Sequence, residues 1–96
     1  MKTYRGDRTI DGISVLVDGQ PLSPHYDVLK LTSRGFEWSY EGPEPSQLAF
    51  AILLDHLGDE ATTKRFYIPF MKQVVAKFNN DWEITSTEID AAIASL

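Results

Sequence analysis

The sequence predicts an α+β fold: a small antiparallel sheet from the N-terminal half, packed against about three C-terminal helices. Three observations carry that prediction. Two segments before residue 41 have strand character. Residues 13–17 read I-S-V-L-V between the turn signals Asp11-Gly12 and Asp18-Gly19. Residues 35–40 read G-F-E-W-S-Y, with Phe36, Trp38 and Tyr40 alternating against Glu37, Ser39 and Glu41, the period of a strand with one buried face. Next, every residue from Leu48 to Leu54 is apolar. On a helical wheel this leaves a narrow polar stripe of Gln47, Ala51 and Asp55, so the helix must be covered on most sides. Beyond residue 60, finally, Phe66, Tyr67, Phe70, Met71, Val74, Val75 and Phe78 keep helical spacing.

In chain order, residues 2–5 read as a short first strand with Tyr4 as its large buried side chain, and Gly6-Asp7 as a turn. The run 13–17 is the next strand, its Ile13, Val15 and Val17 on one face. Asp18-Gly19 has the chemistry of a hairpin turn, with a short edge partner near residues 20–22. Pro21 and Pro24 exclude a central strand there, because proline cannot donate to a ladder. Residues 26–31 fit neither period well and read as loop or strand. The strand 35–40 follows, and the helix near 45–57 is expected to lie on its aromatic face. Pro45 suits that helix's first turn and Gly58 its left-handed cap. Asp59 and Glu60 open a helix over 60–78 whose apolar stripe continues through Pro69. Unbroken register favours one helix kinked near 65–69 over two separate ones. Asn79-Asn80-Asp81 breaks it, and residues 82–84 form a short extended segment. Thr85-Ser-Thr-Glu88 has capping-box spacing and starts a last helix over 86–96. Trp38, Leu48, Ile52, Leu53, Phe70, Val74 and Phe78 are expected to share one core.

The chain has 96 residues and reads as one domain over 1–96. It lacks cysteine, which excludes disulfides, thiolate metal sites and cysteine nucleophiles. No apolar segment follows the positive start, as a secretory signal requires, and none approaches the roughly 20 residues of a membrane span. The cytoplasm is the expected compartment. The net charge of −5 is uneven. Residues 1–34 hold five basic against four acidic side chains, and residues 35–96 hold four against ten. An acidic chain repels nucleic acid and anionic membranes, so the expected partner is another protein.

The blocks M-K-T-Y-R-G-D-R-T-I-D-G at 1–12, G-F-E-W-S-Y-E-G at 35–42, Q-L-A-F-A-I-L-L-D-H-L-G-D at 47–59, V-V-A-K-F at 74–78 and W-E-I-T-S-T-E-I at 82–89 resemble a family of small uncharacterised bacterial proteins. Its members are similar along nearly their whole length and occur in bacterial, plasmid and phage genomes. The resemblance implies a self-contained accessory domain of unknown function and carries over no catalytic or binding residue.

Four residues are candidates for an interaction or pocket site: Glu37, Glu41, His25 and His56. Glu37 and Glu41 are paired carboxylates on the outer face of the expected strand 35–40; burial would be needed to turn them to acid–base work, and an open polar face is the plainer reading. On the wheel His56 falls among Leu48, Ala49 and Ile52, while Asp55 points to solvent. The two cannot converge on one ion, so His56 reads as a packed or capping histidine. His25 sits in a proline-rich loop. Two histidines without cysteine are a poor metal inventory, and no phosphate-binding loop or nucleophile elbow occurs. No cofactor or metal is expected. Arg5-Gly6-Asp7 matches an adhesion tripeptide that arises readily by chance. Tyr4, Arg5, Arg8, Lys30 and Arg34 are a weak basic-aromatic signal in so acidic a chain.

The function that best fits is a non-catalytic protein-interaction module, in one version an acidic decoy of nucleic acid. The alternative is a small enzyme or ligand-binding domain whose carboxylates and histidines converge on a pocket. A decoy needs at least four carboxylates on one face with no Lys or Arg between them, because steering decays over about 8 Å at physiological salt.

Overall fold

A computed structural model describes residues Met1–Leu96. Strands β1 (Thr3–Thr9), β2 (Gly12–Val17) and β3 (Gln20–Pro21) are followed by helices α1 (Pro43–Leu57) and α2 (Glu60–Gln73). A 3₁₀ turn (Val75–Lys77), strand β4 (Trp82–Thr85) and helix α3 (Ser86–Ala94) complete the chain. The sheet is antiparallel throughout, in the order β3-β2-β1-β4. The α+β expectation holds, and the extended segment expected at 82–84 is the sheet's fourth strand.

β1 is longer than its sequence suggests. No turn forms at Gly6-Asp7; the strand runs through both to Thr9. Gly6 is needed there for lack of a side chain. It stands opposite Trp82 across the β1–β4 ladder, and a Cβ at Gly6 would lie 2.2 Å from the indole Nε1. Trp82 cannot retreat, being stacked on Phe78 (4.3 Å between ring centres) and met edge-on by Trp38 at 5.7 Å. Gly6→Ala is therefore expected to cost about 1–3 kcal/mol by overpacking, read as a lower urea midpoint with altered tryptophan fluorescence.

The β2–β3 hairpin turns through Asp18 (φ 49°) and Gly19 (φ 82°), the two left-handed residues of a type I′ turn. Gly58 (φ 69°) caps α1, its N–H bonded to the Leu54 carbonyl at 2.9 Å. The Asp59 carboxylate caps α2 by accepting from the Thr62 N–H at 2.8 Å. Hydrogen bonds from the Thr62 side chain and backbone hold that carboxyl below its ordinary range. Thr85 and Glu88 form the expected capping box, with bonds of 3.2 and 3.0 Å.

α2 continues unbroken through Pro69 and ends at Gln73, earlier than the expected residue 78. At Val74 the backbone leaves the helix (φ −120°, ψ −65°), and the chain tightens into the 3₁₀ turn.

One hydrophobic core lies between the helices and one face of the sheet. Tyr4, Trp38, Leu48, Ile52, Leu53, Phe70, Val75 and Ile89 are fully buried in it, and Val74 and Phe78 pack against it partly buried. Residues 35–40 are the main correction: they form no strand. Ser39 has φ 77°, which a strand cannot accommodate. The segment's polar groups bond instead to the chain after α2: Ser39 N–H to the Val75 carbonyl (3.2 Å), Ser39 Oγ to that of Phe78 (2.5 Å), Trp38 Nε1 to that of Asn80 (3.2 Å). Trp38 is buried while Tyr40 is exposed, so the aromatic alternation does not mark one buried face.

The polar stripe of α1 also differs from expectation: Gln47 and Ala51 are fully buried. Residues 22–42 contain no helix or strand, and buried carbonyls and N–H groups in such a stretch need partners. Gln47 supplies three. Its amide donates to the carbonyls of Pro24 (2.7 Å) and Leu29 (2.9 Å) and accepts from the Leu31 N–H (2.7 Å). Glu44, one turn before, accepts from Thr32 and Tyr40 at 2.7 and 2.9 Å. Those two bonds, Thr32's first, lower its carboxyl below the ordinary range.

Candidate functional site

The four nominated side chains have separate partners. Glu37 accepts from Arg8, with Oε1 3.1 Å from Nε and 2.5 Å from Nη2. Glu41 is exposed. His25 has φ 57°, and its Nε2 is buried without a hydrogen-bond partner. His56, with 12% of its side chain exposed, lies 2.6 Å through Nε2 from the Asp90 carboxylate on α3. This ties the end of α1 to α3 through a side-chain pair, where the sequence suggests a packed or capping histidine. No three His, Asp or Glu side chains are grouped as a metal site.

Asp55 does not point to free solvent. Its Oδ2 accepts from the Tyr4 hydroxyl at 2.6 Å and from Lys2 Nζ at 3.1 Å. Tyr4 is fully buried. Burial first, and then the bond to Asp55, push the phenol far above its ordinary range. The hydroxyl therefore stays a neutral donor. The linked stability has a definite sign: a pKa raised in the folded state favours folding below the unfolded value of about 10 and loses that contribution as pH rises past it. Wild-type stability should fall between about pH 9 and pH 11. Tyr4→Phe should flatten much of that fall in urea melts at the two pH values. Tyr40, raised by partial burial and by Glu44, leaves a smaller residue of it.

The concave site lies elsewhere, on the sheet face turned away from the helices. Strand alternation puts Tyr4, Gly6, Trp82 and Ile84 inward, and Arg5, Asp7 and Glu83 outward. Arg5, Asp7, Asp81, Trp82 and Glu83 line an open groove of about 230 Å³. Arg5 and Glu83 face each other across the β1–β4 ladder, yet none of the four charged side chains is in an ion pair. The lining holds no serine, threonine, histidine or lysine; it consists of three carboxylates, one guanidinium and the apolar Trp82.

Sequence reasoning missed this groove because it placed a turn at Gly6-Asp7. The signal was present in R-G-D and D-W-E, two triplets whose outer residues are charged and whose central residue packs inward. The adhesion-like tripeptide is thus the middle of a paired strand.

The model of a family of unknown function, DUF6166, matches residues 4–95, from the first buried tyrosine to the end of α3. The chain belongs to this family. The match includes every residue of the groove and both ends of the His56–Asp90 and Tyr4–Asp55 pairs. No curated protein and no solved structure matches the chain. No helix is long and apolar enough to cross a membrane.

Proposed function

We propose that this DUF6166 member is a non-catalytic protein-interaction domain that presents the open face of its sheet to another protein. The groove lined by Arg5, Asp7, Asp81, Trp82 and Glu83 carries this reading, because it sets three carboxylates and a guanidinium on an open face with none of them in an ion pair. Glu37, His56 and Asp55 have structural employment instead: Glu37 with Arg8, His56 with Asp90, Asp55 with Tyr4. The charge map adds support. After Lys77 the chain has no Lys or Arg, while Asp81, Glu83, Glu88 and Asp90 are all exposed.

A decoy of nucleic acid would want four clustered carboxylates free of base. The groove combines three with Arg5 among them, which favours a protein segment as the occupant. Affinity capture from the native cells tests the reading. The wild-type domain should retain a defined protein at low salt and release it as salt rises. The Asp7→Asn/Glu83→Gln double variant should retain at most about a tenth as much, a loss of roughly 1.4 kcal/mol. Failure of the wild-type domain to retain any protein specifically overturns it.

A further inference from the structure

β4 ends the sheet: Trp82–Thr85 pairs with β1 on one side and has no strand on the other. The outer edge of such a strand presents N–H and C=O groups that can pair with another chain. At the far end of β4 the opening is closed, because the Glu88 carboxylate takes the Thr85 N–H. The accessible stretch is therefore centred on Glu83, between two inward-packed residues, Trp82 and Ile84. The groove lies beside it, with Asp81 and Glu83 at the edge and Arg5 and Asp7 on the neighbouring strand.

We propose that an extended segment of a partner protein adds to the outer edge of β4 and places a Lys or Arg side chain among Asp7, Asp81 and Glu83. This inference rests on the protein-interaction reading and specifies its mode and the partner's chemistry. Charge complementarity selects the occupant: three carboxylates against one guanidinium attract a cation and repel an acidic segment. Strand geometry fixes the pattern. A residue paired with Glu83 puts its side chain on the same open face, and its two neighbours point to the opposite face, beside Trp82 and Ile84. The segment should thus read apolar–cation–apolar. Main-chain bonds then supply affinity and the cation supplies selectivity, as in other strand-addition complexes.

The test is an amide NMR titration of the whole protein with the blocked peptide Thr-Val-Arg-Val-Thr and with the same peptide carrying Glu in place of Arg. The arginine peptide should shift the Glu83, Arg5 and Asp7 amides saturably, with roughly millimolar affinity. The glutamate peptide should bind at least about tenfold more weakly, and so should the arginine peptide with the Asp7→Asn/Glu83→Gln variant. Equal shifts with both peptides, or saturable shifts away from β4, overturn the proposal. Concentration-dependent β4 shifts without peptide would assign the edge to a second copy and overturn it as well. If the wild-type domain and the double variant capture the same protein equally, the docking site lies outside the groove, which overturns this proposal and the open-face part of the reading it rests on and leaves only that the domain binds a protein. If neither captures one, both fail.

Discussion

Ile52→Ala should cost about 2–5 kcal/mol, a large share of the roughly 5–15 kcal/mol that holds a small domain folded. Ile52 is fully buried, as are its neighbours on α1 from Ala49 to Leu53. The helix is enclosed on several sides at once. The sheet and Trp38 share its core cluster, α2 packs along it, and Phe50 meets Tyr67 edge-on at 5.5 Å. Truncation there leaves a cavity that neighbours can fill only by moving elements already fixed by other contacts, so the loss should sit above the simple transfer cost of the missing carbons. Urea melts of wild type and variant measure it. A loss below about 1 kcal/mol with an unchanged slope would mean the core collapses freely around residue 52.

The reasons α1 was legible in the sequence are the reasons residues 35–40 were not. A run of seven apolar residues between Gln47 and Asp55, closed by a glycine, admits few conformations, and Gly58 takes the left-handed cap such a run requires. The capping box at Thr85 and the turn at Asp18-Gly19 were equally local, each decided by residues that touch one another. Residues 35–40 alternate like a strand, but their conformation is decided by groups distant in sequence: Arg8, Val75, Phe78 and Asn80. Periodicity cannot register a partner thirty or forty residues away. Gln47 and Asp55 misled for a related reason. A polar stripe on an apolar helix reads as the solvent side, whereas here Gln47 satisfies the backbone of an irregular segment and Asp55 a buried phenol. The groove was hidden by one local misreading, since a glycine inside a strand resembles a turn until the tryptophan lying across it is known.

Arg8→Met should cost about 2–4 kcal/mol, the second large effect, and it should act on the segment 35–40 first. Arg8 stands near the end of β1, and its guanidinium uses most of its donors. Nη2 donates to Glu37 Oε1 (2.5 Å) and to the Trp38 carbonyl (2.7 Å), Nε donates to Glu37 (3.1 Å), and Nη1 donates to Asn80 Oδ1 (2.6 Å). Its carbon Cζ lies 4.6 Å from the centre of the Trp38 ring. Each hydrogen bond to a charged group contributes about 1.5–3 kcal/mol. The side chain is 28% exposed, so water recovers part of what is lost and the cost falls short of the 3–5 kcal/mol typical of breaking a fully buried pair. Methionine preserves much of the stem's packing, so the variant isolates the loss of the fork. Arg8→Lys should recover only part of the stability, because one ammonium cannot serve Glu37, the Trp38 carbonyl and Asn80 together. Hydrogen exchange separates this from general loosening. In Arg8→Met the Ser39 amide, bonded to the Val75 carbonyl, should exchange faster by a larger factor than amides of α1. If both accelerate equally, the segment 35–40 is held by the core alone and Arg8 is not its clamp.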